Sequence, residues 1–205
     1  MKWNVHTVGN LDYEKLSSLY RNACNIISNV EEKFGKDPDF ESRKRYHNAK
    51  EVEKLIRNEW SIRNKKQIKN KQDGKYPKIG VLRKLGYKHL YNMKHKTRIL
   101  IIKNCISMEN SELPFTYNSS HMRTWGNDKS KRRYAKIMVY LNHQIKNKKS
   151  ASDKTKEAWK DDLAEVINMC PYKDVNDWFM EKFNKKNVLD INNKTDEEFN
   201  DEIPF

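Results

Sequence analysis

Apolar residues along this chain recur mostly at intervals of three and four, a period that predicts helices. Leu16, Leu19, Tyr20, Ala23, Ile26, Ile27, Val30 and Phe34 mark the clearest one, over 10–34, with Asn10 as N-cap and Gly35 as stop. After a loop holding Pro38, a second long helix is predicted over 40–70 on the stripe Tyr46, Ala49, Val52, Ile56 and Trp60, closed off by Gly74 and Pro77. Ile79, Val81, Leu82 and Leu85 predict a short helix ended by Gly86, with a second short helix beginning near Lys88. The run Arg98–Ile102 fits a buried helix or a buried strand, and its helical neighbours favour helix. Residues 109–127 read as a loop, unusually aromatic in Phe115, Tyr117 and Trp125, of the kind that is packed down or functional. Tyr134, Ile137, Met138, Leu141 and Ile145 predict a helix over 128–149. Ser152 caps the next, which runs to Met169 with Trp159, Leu163, Val166 and Ile167 inward and stops at Cys170-Pro171. Asp174 caps a last short helix carrying Val175, Trp178, Phe179 and Phe183.

From Asn187 the period dissolves into Asn, Asp and Glu, as in a disordered arm. The expected fold is mainly α: a compact multi-helix bundle over 1–186, followed by a disordered acidic tail over 187–205. Composition agrees, since 36% hydrophobic and 34% charged residues describe a thin core under broad solvated faces. Only 6 Gly and 5 Pro argue against a turn-rich β fold. Cys24, Cys105 and Cys170 lie far apart, with no nearby Cys or His partner, so buried reduced thiols are expected rather than disulfides or a zinc site. No apolar run approaches the roughly 20 residues of a membrane span, and no signal peptide opens the chain. The expectation is a cytoplasmic protein with no membrane partner.

Charge sharpens the picture. The chain carries +14, yet residues 190–205 hold six carboxylates against Lys194, a net −5, so residues 1–189 carry +19. A body so far from neutrality attracts polyanions, and nucleic acid is the first candidate. Two basic clusters fall on predicted helices: Arg57, Arg63, Lys65, Lys66, Lys69 and Lys71, then Lys129, Lys131, Arg132, Arg133 and Lys136. The other faces of those helices are apolar, so these charges are expected to project to solvent and to meet phosphates. Tyr76, Tyr87, Tyr91, Tyr117 and Trp125 are candidates to stack on unpaired bases, although for any one ring a core position is the favoured expectation.

Residues 79–96 also allow a minority helix-turn-helix reading, with Gly86 at the turn and Lys88, His89, Asn92, Lys94, His95 and Lys96 on or near a recognition helix. Catalysis has little to rest on. There is no HExxH, no phosphate-cradling Gly-rich loop and no GxSxG. Asp161, Asp162 and Glu165 lie beside Lys156 and Lys160, a spacing that suits surface ion pairs. The expected protein is not an enzyme and needs neither cofactor nor metal.

The chain ends Asp201-Glu202-Ile203-Pro204-Phe205. Phe205 can fill a pocket with its ring, and Pro204 lowers the entropy lost on ordering. The terminal carboxylate can accept charge-assisted hydrogen bonds, and Asp201 and Glu202 suit a basic rim. An acidic run closed by Ile-Pro-Phe resembles the C-terminal tip of bacterial single-stranded DNA-binding proteins, which docks on replication, repair and recombination proteins. The resemblance covers about ten residues, and nothing upstream resembles that family's barrel. It implies a docking peptide and the kind of partner it meets.

The expected function is therefore a DNA-binding accessory protein of replication or recombination, on single-stranded or branched DNA, recruiting a partner through its tail. A phage or plasmid origin suits such a chain. The alternatives are an interaction protein competing for the pocket that receives such tails, and a helix-turn-helix transcriptional regulator.

Overall fold

Asn4 opens the first helix, α1 (Val5–Gly9), with a reciprocal cap. Its Oδ1 accepts from Thr7 N at 2.9 Å, and Asn4 N donates to Thr7 Oγ1 at 2.8 Å. In this computed structural model the described residues are 4–35, 43–69, 80–114, 124–147 and 150–184. All regular elements among them are helical, and no strand occurs. The predicted N-cap Asn10 instead ends α1. Asp12 starts α2 (Tyr13–Phe34), accepting from Lys15 N at 2.7 Å. Gly35 stops α2 as expected.

The chain divides into two compact units, Met1–Met122 and Arg123–Phe205. The division falls inside the aromatic segment 109–127, so the hydrophobic pattern by itself does not announce it.

In the first unit α2 packs on α3 (Lys44–Lys69), on α5 (His95–Ser107) and on the short α4 (Val81–Lys84). Ile27, Val30, Tyr46 and Ala49 form a buried cluster joined by Leu100, and the rings of Tyr20 and Trp60 lie 5.0 Å apart. The run Arg98–Ile102 belongs to α5. Cys105 and Ile106 extend its apolar period at three and four, and Arg98, Ile99, Ile101, Ile102, Cys105 and Ile106 are all buried. The helix expected near Lys88 shrinks to a single 3₁₀ turn, Leu90–Asn92. Gly86 (φ 89°) and His89 (φ 56°) both adopt left-handed backbone, which a right-handed helix cannot pass through. No recognition helix therefore forms over 88–96, and the next helix starts at His95.

A buried polar node fastens this unit. Asn104 Nδ2 donates to the Tyr20 hydroxyl at 2.9 Å and to Glu53 Oε1 at 3.0 Å. Glu53, nearly fully buried, also meets Lys50 Nζ at 3.3 Å and Arg57 Nη1 at 3.9 Å. Cys24 lies against the same node, with Asn104 Nδ2 3.8 Å from its sulfur.

In the second unit α6 (Lys131–Asn147) packs on α7 (Asp153–Met169) and on α8 (Lys173–Asn184). Ser152 caps α7 as predicted, accepting from Thr155 N. Ala135, Ile137, Met138, Leu141, Val166 and Val175 are almost wholly buried. Asp174 lies in the first turn of α8 rather than at its cap. Asp162, expected in a surface ion pair, is fully buried, because it shares the inner stripe with Ala158, Trp159 and Val166. All three cysteines are buried and unbridged. No helix among the described residues is long and apolar enough to cross a membrane.

Candidate nucleic-acid interface

The first basic cluster is partly spent inside its own unit. Arg57 Nη2 bonds Glu112 Oε2, tying α3 to the 3₁₀ turn Asn110–Glu112. Burial opposes the Arg57 charge, yet the Glu112 carboxylate outweighs it and lifts the guanidinium pKa above its ordinary value. Arg63 bonds Glu59 Oε1 at 2.6 Å and the Leu11 carbonyl at 2.6 Å, pinning the α1–α2 loop onto α3. Neither arginine projects freely to solvent. Lys65 and Lys66 do. Lys69 ends α3, with its side chain outside the described residues, and Lys71 lies outside them altogether.

The second cluster is more structural still. Arg133, expected on the surface, is 0% exposed. Its Nε donates to the Trp125 carbonyl at 3.1 Å and its Nη2 to the Gly126 carbonyl at 2.8 Å. The spacing from Arg133 to Ile137 and Leu141 puts it on the buried stripe of α6. Gly126 (φ 65°) makes the turn it grips: an added Cβ would come within 2.6 Å of Ser130 Oγ and 3.0 Å of Arg132 Cβ. Lys136 Nζ donates to Thr124 Oγ1 at 2.6 Å and lies 5.2 Å from the Trp125 ring centroid. Lys131 pairs with Asp174, a hydrogen bond that holds the Asp174 carboxyl below its ordinary pKa. Arg132 is half-buried, and Lys129 is exposed in left-handed backbone (φ 53°). Of this cluster Lys129 and the half-buried Arg132 make no ion pair with a described residue.

Among the candidate stacking rings, Tyr87 and Trp125 are core, and Tyr91 is 51% exposed. Tyr76 and Tyr117 lie outside the described residues, as do the tail positions Asp201, Glu202, Ile203, Pro204 and Phe205.

A different stretch emerges in the first unit. Residues 80–108 contain Arg83, Lys84, Lys88, Lys94, Lys96, Arg98 and Lys103, and no Asp or Glu. The absence of acids was the signal available in the sequence; clusters of adjacent cations are more conspicuous. This stretch supplies one wall of a polar cleft of ≈ 330 Å³ against α2. Arg21, Asn22 and Asn25 line it from α2, His89 and Asn92 from the loop, and Thr97 from α5.

Local geometry holds the loop in place. Gly86 backs directly onto α2, where a Cβ would meet Arg21 Cβ at 2.7 Å and Ser17 O at 2.8 Å. Arg98, almost buried, donates to the Met93 carbonyl at 3.0 Å. Thr97 Oγ1 lies 2.8 Å from Ser28 Oγ and donates to Asn25 Oδ1 at 3.2 Å. The Tyr91 ring stands edge-on to His89, centroids 6.5 Å apart.

Lys88 and Lys96 partner Glu14 and Glu32 from α2, and Lys94 donates to Asn29 Oδ1. Burial pushes the Lys84 ammonium down to about 8. A second groove, of ≈ 810 Å³, runs between α1, α3 and the 110–112 turn. It mixes Lys54 and Lys65 with Glu51, Glu109 and Glu112, a lining of both signs ill suited to phosphate. The chain matches no family model, no curated protein and no solved structure.

Proposed function

We propose that this chain is a DNA-binding accessory protein of replication or recombination. It takes single-stranded or branched DNA on its basic surface and recruits a partner through its acidic C-terminal tip. The observation that carries this reading is excess positive charge: +19 over residues 1–189, with seven cations and no carboxylate within 80–108, of which Lys88 and Lys96 pair with α2 carboxylates. Exposed Lys65, Lys66, Arg83, Lys94, Lys96 and Lys103 support it, all on the first unit. Cations that neutralise phosphates release counterions, so affinity falls steeply with salt. The tip supplies the second half of the reading through its likeness to single-stranded DNA-binding protein tails.

Gel shifts with single-stranded, forked and duplex DNA across a salt series test it. The expected result is tightest binding to single-stranded or forked DNA, weakening log-linearly with salt. No shift with any of the three in low salt sinks the DNA reading. Preference for one duplex sequence redirects it to transcriptional control.

A further inference from the structure

We infer that the cleft between α2 and the 86–93 loop seats one unpaired nucleotide of a bound strand, an inference that rests on the nucleic-acid reading above. Among the described residues its lining has no carboxylate. The Arg21 guanidinium makes no hydrogen bond or ion pair with any described residue, while Arg57, Arg63, Arg98 and Arg133 are all engaged. An unengaged guanidinium in an acid-free cleft is matched to a phosphate, which it can take bidentately.

The remaining groups suit a base. Asn25 Oδ1 already accepts from Thr97 and from Asn29 Nδ2 at 3.3 Å, so its amino group is the donor left for a ligand. Asn22 and Asn92 each bring a full amide, the side chain best matched to the paired donor and acceptor of a base edge. Tyr91, half-exposed and adjacent in sequence to the lining residue Asn92, stands perpendicular to the His89 ring and offers exposed aromatic surface for stacking. A space of ≈ 330 Å³ holds one nucleotide and does not admit a duplex. His89 holds a left-handed conformation that non-glycine residues rarely adopt, and strain of this kind gathers at ligand clamps. A base within a duplex has both faces stacked and its edge paired, so the cleft selects for an unpaired one.

The experiment is fluorescence anisotropy of the full chain with a labelled single strand and with a blunt duplex. Tyr91→Ala is expected to weaken single-strand binding by about five- to 100-fold, to change duplex binding less than about twofold, and to leave the salt slope unchanged. Tyr91→Phe keeps the ring and is expected to restore single-strand affinity. Arg21→Gln is expected to flatten the single-strand salt slope by about one. Tyr91 and Arg21 lie outside the core, and circular dichroism verifies that each variant is folded. If the unaltered chain binds the single strand and Tyr91→Ala binds it equally well, the cleft is not the seat and the broader reading stands. An equal loss on strand and duplex, or no rescue by phenylalanine, also overturns the cleft. Failure of the unaltered chain to bind either DNA removes the broader reading itself.

Discussion

Arg133 donates from full burial to two carbonyls of the turn that precedes its own helix. Arg133→Leu should cost about 2–4 kcal/mol, because two charge-assisted hydrogen bonds vanish and two inward carbonyls lose their donor. Lys129→Ala, at an exposed neighbour, should stay within about 0.5 kcal/mol. Chemical denaturation of both variants checks the contrast, and equal effects would contradict it. Gly86→Ala should cost at least about 1–2 kcal/mol, since alanine resists the left-handed backbone and its Cβ would strike the backbone of α2. That contrast also marks what single positions disclose. Arg133, Asp162 and Glu53 each sit in register with an apolar stripe, at 133/137/141, 158/162/166 and 49/53/56/60, and all three are buried. A charged residue on the apolar stripe is the legible sign of burial, and the density of charge around Arg133 and Asp162 masks it. Arg57 and Arg63 follow Glu53 and Glu59 by four residues, which announces only local pairing; their bonds to Glu112 and to the Gly9 and Leu11 carbonyls join positions far apart in sequence.

The long helices α2, α3, α6 and α7 were readable because a sustained apolar period marks each of them, joined by the stop Gly35 after α2 and the cap Ser152 before α7. The segment 85–94 was not. Its conformation depends on Gly86 fitting against α2, a tertiary contact that no local period encodes. The cleft was hidden for the same reason, since α2 and the loop meet only in the fold. Within the α2–α3–α5 core, Asn104→Ala should cost about 1–3 kcal/mol by leaving the Tyr20 hydroxyl and Glu53 short of a donor. The node also sets a pH dependence. Burial first, then neighbouring negative charge, raises the Tyr20 and Cys24 pKa values above their ordinary 10.0 and 9.0. The unfolded chain therefore releases those protons first, and their stabilising contribution is lost as pH rises above 9. Lys84 acts in the opposite sense. Its folded pKa of about 8 lies below the ordinary 10.5, so a penalty present at neutral pH is relieved between those values. Lys84→Met should thus raise the melting temperature most near pH 7, with the gain shrinking toward pH 10.5. A gain that does not vary with pH would remove this role for Lys84.

For the chain as a whole, a basic body joined to an acidic C-terminal segment predicts competition. Residues 190–205 carry −5 against +19 elsewhere, so under the proposed function they should compete with DNA for the basic surface. Truncation before residue 190 should tighten DNA binding at low salt, with the advantage fading as ions screen it. Equal affinity of both forms in low salt would rule the competition out. Deleting Ile203–Phe205 alone should preserve DNA binding and abolish capture of a replication or recombination protein by pull-down. The division of the chain at residue 122 gives the buried thiols a use of their own. Cys24 and Cys105 belong to the first unit and Cys170 to the second, each unbridged and shielded. A bulky alkylating reagent reaches each sulfur only when its surroundings open, so labelling rates resolved by mass spectrometry become two stopwatches. If Cys170 reacts well before the other two, the second unit opens alone; a common rate means that the chain opens as one.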